Sequence, residues 1–121
     1  VPGEEENLFA GGQKQNFLNI QPYGASGYLS TLGMFRPDLA WNFWRACETK
    51  NFNAMSASIR DYDWPYFDLL IRQPGGFDAG VKATLELFGF GSRRRRAPYR
   101  NLNDAEMEKF TQELRDLNIL K

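Results

Sequence analysis

Histidine is absent from this 121-residue sequence, and cysteine occurs once, as Cys47. The lack of histidine removes the commonest general base and the commonest zinc ligand. With a single cysteine, the chain cannot hold a Cys-His nucleophile pair, a structural zinc site or an internal disulfide framework. Any chemistry carried by these residues must therefore use lysine, carboxylates, tyrosine, hydroxyls or backbone groups.

Net charge and long apolar runs are missing as well. Fifteen basic and fifteen acidic residues cancel, so no overall field attracts nucleic acid or an anionic membrane. No apolar run approaches the ~20 residues that span a bilayer, and no signal peptide is visible. We expect a cytoplasmic protein without a nucleic-acid or membrane partner, and the lone cysteine suits that reducing compartment.

The residues that are present predict one modest core, because 42% are hydrophobic and 15% aromatic. Val1 to Asn7 reads as an exposed lead-in. The next segment, "LFAGGQKQNFLNIQPYGASGYLSTLGMF", predicts a strand at Leu8–Gly11, a helix at Gln13–Ile20 and a second strand at Gly27–Leu32. Parallel strands occur in sheets of several strands covered by helices, so two alone leave the sheet incomplete.

From Pro37 onward the apolar period is helical. Pro37 suits a first helical position and Asp38 the positive end of the helix dipole. A second helix starts near Phe52 and is interrupted at Pro65. A third is predicted from about Asp78 to Phe88, and a fourth after Asn103, which has a glutamate three residues on, as in a capping box.

Several stretches, taken in order, resemble the dihydrodipicolinate synthase / N-acetylneuraminate lyase family. "GASGYLS" is similar to the family's G-A-D-G-Y-I-S strand, and Pro37 opens a helix after it, as in the family. "LFAGG" is similar to the preceding strand. "GVKATLELFGFGSRRRRAPYRNLNDAEMEKFTQELRDLNIL" is similar to the C-terminal signature, with Arg96 to Tyr99 where that signature has an R-P-P-L-like turn.

The resemblance implies an α/β fold: the last two β/α units of a (β/α)8 TIM barrel, followed by a C-terminal helical block. Residues 1–50 would form the end of the barrel, with strands seven and eight, and residues 51–121 the helical extension. Strands one to six would lie outside this sequence. The intact protein would be a homo-oligomer, commonly a tetramer, and would need no metal or organic cofactor.

The implied chemistry is that of lyases, aldolases and dehydratases that form a Schiff base between a lysine and a pyruvate-type or 2-keto-3-deoxy acid. In the family this lysine lies on strand six, upstream of Val1, so no catalytic residue is assigned in this chain and the chain alone is predicted to be inactive. The lysines present lie outside the predicted strands; they are Lys14, Lys50, Lys82, Lys109 and Lys121.

The expected contribution of the chain is one wall of the substrate site, because barrel sites lie at the carboxyl ends of the strands. The residues assigned to substrate binding are Gly11, Gly12, Gln13, Leu29, Ser30 and Thr31. Two alternatives stay open at this point. The glycines could serve a tight turn rather than close approach of substrate, and the hydroxyls could bond to nearby backbone. Met34 departs from the family's asparagine.

Two other motifs have simpler interpretations. "QPGGFDAG" lacks the lysine of a phosphate-binding loop and is expected to be an interhelical turn. Arg93 to Arg96 are expected in a solvated loop, with Arg96 in a structural contact. Two rival functions also remain: a non-catalytic, truncated relative that acts as an interaction module, and one half of a split enzyme.

Overall fold

The computed structural model describes residues 7–121. The predicted exposed lead-in therefore lies, apart from Asn7, outside the described residues. The described chain divides into two compact units, here called the strand unit (the described residues up to Asn42) and the helical unit (Phe43–Lys121). The division falls inside a helix rather than at residue 50, so the expected domain assignment stays a prediction. Within residues 7–121, no helix has the length and apolar character required to cross a bilayer.

The strand unit contains two short parallel strands, β1 (Leu8–Ala10) and β2 (Ala25–Tyr28), joined by helix α1 (Gln13–Ile20) and a 3-10 turn, Gln21–Tyr23. The prediction of α1 is confirmed residue for residue. The second strand begins and ends earlier than predicted, because the chain after Thr31 turns into a 3-10 helix, Leu32–Met34.

The two strands are held in register by backbone pairing and by packing of α1. Phe9 lies opposite Gly27, and Ala10 lies opposite Tyr28. A Cβ at Gly27 would meet the Phe9 ring at 3.0 Å, so glycine lets this ring lie across the neighbouring strand. Phe17 of α1 is buried and contacts the Tyr28 ring, with 5.2 Å between the ring centroids. Among the described residues, β1 and β2 pair with each other alone, so each strand has an unpaired outer edge.

Helix α2 (Pro37–Glu48) starts in the strand unit and ends in the helical unit. Its start at Pro37 confirms the prediction. Arg36 donates two hydrogen bonds to the Asp38 carboxylate, at 2.8 and 2.6 Å. The hydrogen bond from Arg36 lowers the pKa of Asp38 below its ordinary value of 3.8, which favours the negative charge beside the helix N-terminus.

The helical unit continues through α3 (Phe52–Ser58), α4 (Trp64–Ile71), α5 (Phe77–Leu87) and α6 (Asp104–Asp116). The predicted interruption near Pro65 is observed: α3 ends at Ser58, and Pro65 lies in the first turn of α4. A π-helical turn, Ile59–Asp63, joins α3 to α4, and the Trp64 amide donates to the Ile59 carbonyl. The wider π-helical turn lets the chain continue as a helix up to Pro65, a residue that has no amide hydrogen to donate.

The core of the helical unit is mainly apolar, but it contains the buried Asp63 side chain and a buried pair of hydroxyl groups. Tyr66 of α4 donates to Thr84 of α5 at 3.0 Å, and Thr84 in turn donates to the Gly80 carbonyl. Burial raises the pKa of Tyr66, so the phenol stays neutral. Gly80 permits close packing of α4 on α5, since a Cβ there would lie 2.7 Å from Leu70 Cδ2. Other fully buried side chains are Phe43, Leu70, Ala83, Phe110 and Leu114.

Helix α6 begins with the predicted capping box. Asn103 Oδ1 accepts from the Glu106 amide at 2.8 Å, and Glu106 Oε1 accepts from the Asn103 amide at 3.4 Å. Met107, Phe110 and Leu114 form the buried stripe, whereas Leu117 is half-buried. The local sequence signal at this helix is therefore sufficient to fix where it starts and which face is buried.

Candidate functional site

The carboxyl ends of β1 and β2 bring together the two segments to which the sequence assigns substrate binding. Because the strands are parallel, Gly11–Gln13 and Leu29–Thr31 leave the sheet at the same edge. The Leu29 amide still donates to the Ala10 carbonyl at 3.2 Å, which extends the pairing to the first residue after β2. The candidate site is the group of residues at this edge.

Gln13 and Thr31 form the main connection across the edge. The Thr31 amide donates to Gln13 Oε1 at 2.9 Å, and Gln13 Nε2 donates to Thr31 Oγ1 at 2.9 Å. Both residues are partly buried. The side-chain amide therefore links the beginning of α1 to the segment after β2, a contact between residues 18 positions apart in sequence.

The backbone at the beginning of α1 is left-handed at two successive residues. Gly12 has φ 80° and Gln13 has φ 67°. The conformation is free of cost for glycine, whereas a residue with a Cβ loses roughly 1–2 kcal/mol in it. Asn16 supports the turn by donating from Nδ2 to the Gly11 carbonyl at 2.6 Å. Strained residues of this kind are concentrated at functional sites, and here the strain falls on Gln13.

The two glycines have different roles in this turn. A Cβ at Gly12 would lie 2.9 Å from the Asn16 Cβ, so both sterics and dihedral angle require glycine at this position. A Cβ at Gly11 would meet nothing within 4 Å, and Gly11 is exposed. The structure thus gives Gly12 a turn function, while the space beside Gly11 is open to a ligand.

The residues after β2 are Leu29, Ser30 and Thr31, and they differ in accessibility. Leu29 is 73% exposed, so among the described residues little covers the side chain expected to line a pocket. Ser30 Oγ accepts from the Gly33 amide at 3.0 Å, which realises the alternative of a structural hydroxyl. That bond uses a lone pair of the oxygen, and the hydroxyl hydrogen remains available. Met34 lies in the 3-10 turn and is exposed.

Lys14, next to Gln13, is fully buried. It is engaged in an interaction within the protein, so it is not a free amine. Charged ligands for a metal are not gathered at this edge either: within residues 7–121, no group of three or more histidine, cysteine, aspartate or glutamate residues is placed to hold a metal ion. The groups that the edge offers to a ligand are hydroxyls, an amide and backbone.

Sequence reasoning found Gln13 and Thr31 separately but missed their mutual bonds and the role of Asn16. The signal for Asn16 was weak: an amide side chain early in a helix that follows a glycine pair can reach back to the turn. The pairing of Gln13 with Thr31 had no local signal, because it depends on how β1 and β2 are aligned.

The arginine-rich loop has mainly structural contacts. Arg93 forms ion pairs with Asp104 and, at 3.8 Å, with Glu86. Arg95 donates to the Arg100 carbonyl and lies over the Tyr99 ring, at 5.3 Å from its centroid. Within residues 7–121, the Arg96 side chain makes no hydrogen bond or ion pair, in contrast to the expected structural contact. Its carbonyl accepts from the Tyr99 amide at 3.0 Å.

The glycine pair before α5 is an interhelical turn, as expected. Gly75 and Gly76 have φ of 92° and 84°. A Cβ at Gly75 would lie 2.8 Å from the Arg100 carbonyl oxygen, so this position is filled by the protein's own backbone. The close packing leaves no phosphate cradle at Gly75.

One groove of about 230 Å³ lies in the helical unit, between α4 and α6. Its charged lining residues are Asp68, Arg72, Glu113 and Asp116. Arg72 Nε pairs with Asp68 Oδ2 at 3.1 Å, and both side chains are mostly exposed. This groove contains none of the residues assigned to substrate binding.

Comparison with known proteins gives relatives of one name. The chain is 29% identical over 103 residues to a probable 5-dehydro-4-deoxyglucarate dehydratase of Allorhizobium ampelinum, a match that covers 83% of this chain and 34% of the relative. It is 31% identical over 85 residues to the protein of that name from Variovorax paradoxus, covering 70% of the chain and 28% of the relative. The Corynebacterium glutamicum protein of that name is 30% identical over 90 residues, a match that covers 74% of this chain and 28% of the relative. The chain thus spans about a third of the length of the curated relatives it matches.

No family model matches the sequence. Among solved structures, dihydrodipicolinate synthase from Bacillus clausii superposes with a TM-score of 0.70 at 21% identity, over 91% of this chain and 37% of that protein. At this identity the likeness concerns the fold, which is mixed α/β in both. The resemblance inferred from the sequence is thereby confirmed: the chain corresponds to the C-terminal portion of a protein of the dihydrodipicolinate synthase family.

Proposed function

We propose that this chain is the C-terminal third of a Schiff-base-forming lyase, with the catalytic lysine upstream of Val1. Among the aldolase and dehydratase activities expected from the sequence, we favour dehydration of a 2-keto-3-deoxy sugar acid such as 5-dehydro-4-deoxyglucarate. The observation that carries the proposal is the match over about a third of the length of relatives that bear the name of this dehydratase.

In this proposal, β1 and β2 are strands seven and eight of a (β/α)8 barrel. Their unpaired outer edges would take strand six on one side and strand one on the other. The candidate site lies at the carboxyl ends of both strands, where barrel enzymes carry their chemistry. The lysine of strand six would then stand beside β1, close to Gly11 and Gln13.

The lysines of the chain support an upstream nucleophile. A Schiff base forms when a neutral amine attacks the keto carbon and water leaves, so the amine must reach the substrate. None of the five lysines lies in β1 or β2. Lys14 is adjacent to the site in sequence, but it is fully buried and engaged in another interaction.

The edge is suited to bind the substrate rather than to activate it. Gly11 leaves open space, and Ser30 and Thr31 present hydroxyls at the end of β2. Hydroxyl groups of this kind can bond to the hydroxylated tail or distal carboxylate of a sugar acid. Assembly as a homotetramer and a cytoplasmic location remain predictions that accompany this proposal.

Borohydride trapping tests the function directly. The 121-residue chain and the full-length native product that contains it are incubated with pyruvate or with a 2-keto-3-deoxy sugar acid, reduced, and measured by intact mass. We expect a covalent adduct on the longer protein and none on the 121-residue chain. An adduct on the short chain that disappears in Lys14→Arg would move the nucleophile into this sequence and contradict the proposal.

The helical unit favours one alternative, a truncated relative that acts as an interaction module. Its buried core and capped α6 give it the features of a self-supporting fold. If the native product has the length of this chain and forms no adduct, the interaction module replaces the lyase. If a separate chain restores adduct formation, the protein is half of a split enzyme.

A further inference from the structure

We propose that Gln13 is a positioning residue that holds the Thr31 hydroxyl as a hydrogen-bond donor toward the distal part of the substrate. The inference rests on the proposed function and deepens it, because it states how the edge recognises a sugar acid. The ligand group concerned is an acceptor oxygen, either a hydroxyl or the distal carboxylate of a hydroxylated keto acid.

The orientation of the Gln13 amide follows from the chemistry of its partner. A backbone N–H can donate only, so the Gln13 atom 2.9 Å from the Thr31 amide must be the oxygen. The remaining amide atom is then Nε2, which has no lone pair to offer and therefore donates to Thr31 Oγ1, also at 2.9 Å. The pair of bonds excludes the flipped amide.

The direction of the second bond leaves the Thr31 proton unused. A threonine hydroxyl has one hydrogen to donate and two lone pairs that accept. Gln13 Nε2 occupies one lone pair, and the hydroxyl hydrogen donates to no other group among the described residues. Thr31 is partly buried, so its hydroxyl is held in place and still reachable by a ligand.

Both polar atoms of the Gln13 side chain are hydrogen-bonded to Thr31, which leaves one amide hydrogen and one lone pair for a direct contact. The inference therefore adds action through Thr31 to the substrate contact expected at Gln13. The left-handed backbone at Gln13 and the bond from Asn16 to the Gly11 carbonyl fix the point from which the amide reaches across. A side chain held in this way serves pre-organisation of the site.

Gln13→Glu is the decisive variant. It keeps the size and shape of the side chain at residue 13, but it reverses the direction of the hydrogen bond to Thr31 Oγ1. A carboxylate still accepts from the Thr31 amide, but it also accepts from the Thr31 hydroxyl, which must then turn its hydrogen toward residue 13. Thr31→Val removes the hydroxyl and keeps the volume. Asn19→Asp makes the matched amide-to-carboxylate change on the exposed side of α1.

The experiment uses the full-length native product and two readouts. The first is KM and kcat for dehydration of 5-dehydro-4-deoxyglucarate, and the second is borohydride trapping of pyruvate, which lacks the distal groups. In Gln13→Glu and in Thr31→Val we expect KM to rise about tenfold, as for the loss of one hydrogen bond to substrate, with pyruvate trapping unchanged. The double variant should have the KM of Thr31→Val alone, and Asn19→Asp should behave as wild type.

The outcomes separate the inference from the proposed function. A KM within twofold of wild type in Gln13→Glu, together with a raised KM in Thr31→Val, overturns the positioning role and keeps the lyase. A loss of pyruvate trapping in Gln13→Glu as large as the rise in KM also overturns the positioning role, because the variant would then have damaged the whole site. Failure of the wild type to trap pyruvate or to dehydrate the sugar acid rejects the proposed function and this inference with it.

Discussion

The strand unit and the helical unit differ in how completely each one buries its apolar side chains and pairs its backbone hydrogen-bonding groups. The helical unit buries Tyr66, Phe110 and Leu114 almost completely and begins α6 with a reciprocal cap. The strand unit has a sheet of two short parallel strands with unpaired outer edges. Both units expose large apolar side chains. In the strand unit they are Leu8, Phe9, Tyr23, Leu29, Met34 and Trp41, and in the helical unit Phe52, Trp64, Ile71, Phe90 and Tyr99.

In the proposed barrel, this difference identifies the region that needs neighbouring strands. Two parallel strands have few backbone hydrogen bonds, so a sheet of this size gains little stability by itself, even with α1 packed against it. Exposed apolar groups along and after the strands are what a partner surface would cover. The strand unit therefore has the open sheet that the proposed barrel requires, whereas the helical unit has a core of its own.

The largest expected effect comes from a matched pair of core truncations. Phe110→Ala should lower the free energy of unfolding of the helical unit by about 3–5 kcal/mol, because a buried ring leaves a cavity. Phe17→Ala removes an equally buried ring from the strand unit and should leave the helical transition unchanged. Urea unfolding followed by helical circular dichroism measures both, with exposed Lys109→Ala as control. Equal losses in the two variants would mean that the units unfold as one.

Hydrogen exchange compares the two regions without mutation. The Leu29 amide, bonded to Ala10, should exchange at least ~100-fold faster relative to its intrinsic rate than the amides of α5 and α6, a difference of about 2.7 kcal/mol in opening free energy. In the full-length protein the sheet amides should become protected, because neighbouring strands would then cover the edges. Strong protection in the 121-residue chain alone would count against the barrel proposal.

Gly80→Ala tests the close packing of α4 on α5. Alanine in place of a helical glycine normally stabilises a helix by about 1 kcal/mol. Here we expect a loss of about 1–3 kcal/mol, because the new Cβ would lie 2.7 Å from Leu70 Cδ2. The sign of the change in urea midpoint shows whether the clash with Leu70 outweighs the gain in helix propensity. Glu108→Ala, at an exposed position in α6, is the neutral reference.

Asn103→Ala removes the cap of α6 and should cost about 1 kcal/mol. Asn53→Ala makes the same chemical change at an exposed position in α3 where the side chain makes no capping hydrogen bond, and it should cost less. Thermal unfolding of the two variants gives the comparison. A cap variant as stable as Asn53→Ala would show that α6 is held by its buried stripe alone.

The smallest effect concerns pH. The Arg36 hydrogen bond lowers the pKa of Asp38 in the folded protein, so the stabilisation from this pair is present above pH 3.8, the ordinary value, and is lost as pH falls through the lowered pKa. Asp38 is largely solvent-exposed, and we expect only a slight change in slope of stability against pH below 4. Asp38→Asn should flatten that slope. An unchanged slope in this variant would show that groups other than Asp38 cause the loss of stability at low pH.

Much of the local structure was predictable because it depends on neighbours in sequence. Pro37 begins α2, Asn103 and Glu106 cap α6, and the helix Gln13–Ile20 has the predicted limits. Pro65 correctly marked the break between α3 and α4, but the sequence did not predict that a π-helical turn, Ile59–Asp63, fills this break. The second strand was placed too late because alternation of apolar residues does not mark where the ladder of hydrogen bonds ends.

By itself, the sequence determined the order of the elements, the limits of α1, the starts of α2 and α6, the family resemblance and the absence of histidine chemistry. The tertiary structure decided which of the candidate residues act on one another. Gln13 and Thr31 meet only because parallel pairing aligns the ends of β1 and β2. Gly80 is required only because backbone and side-chain atoms of Leu70 approach it. Such contacts are made between groups far apart in the chain, so their energies are set by packing in space and leave no periodic signal in the sequence.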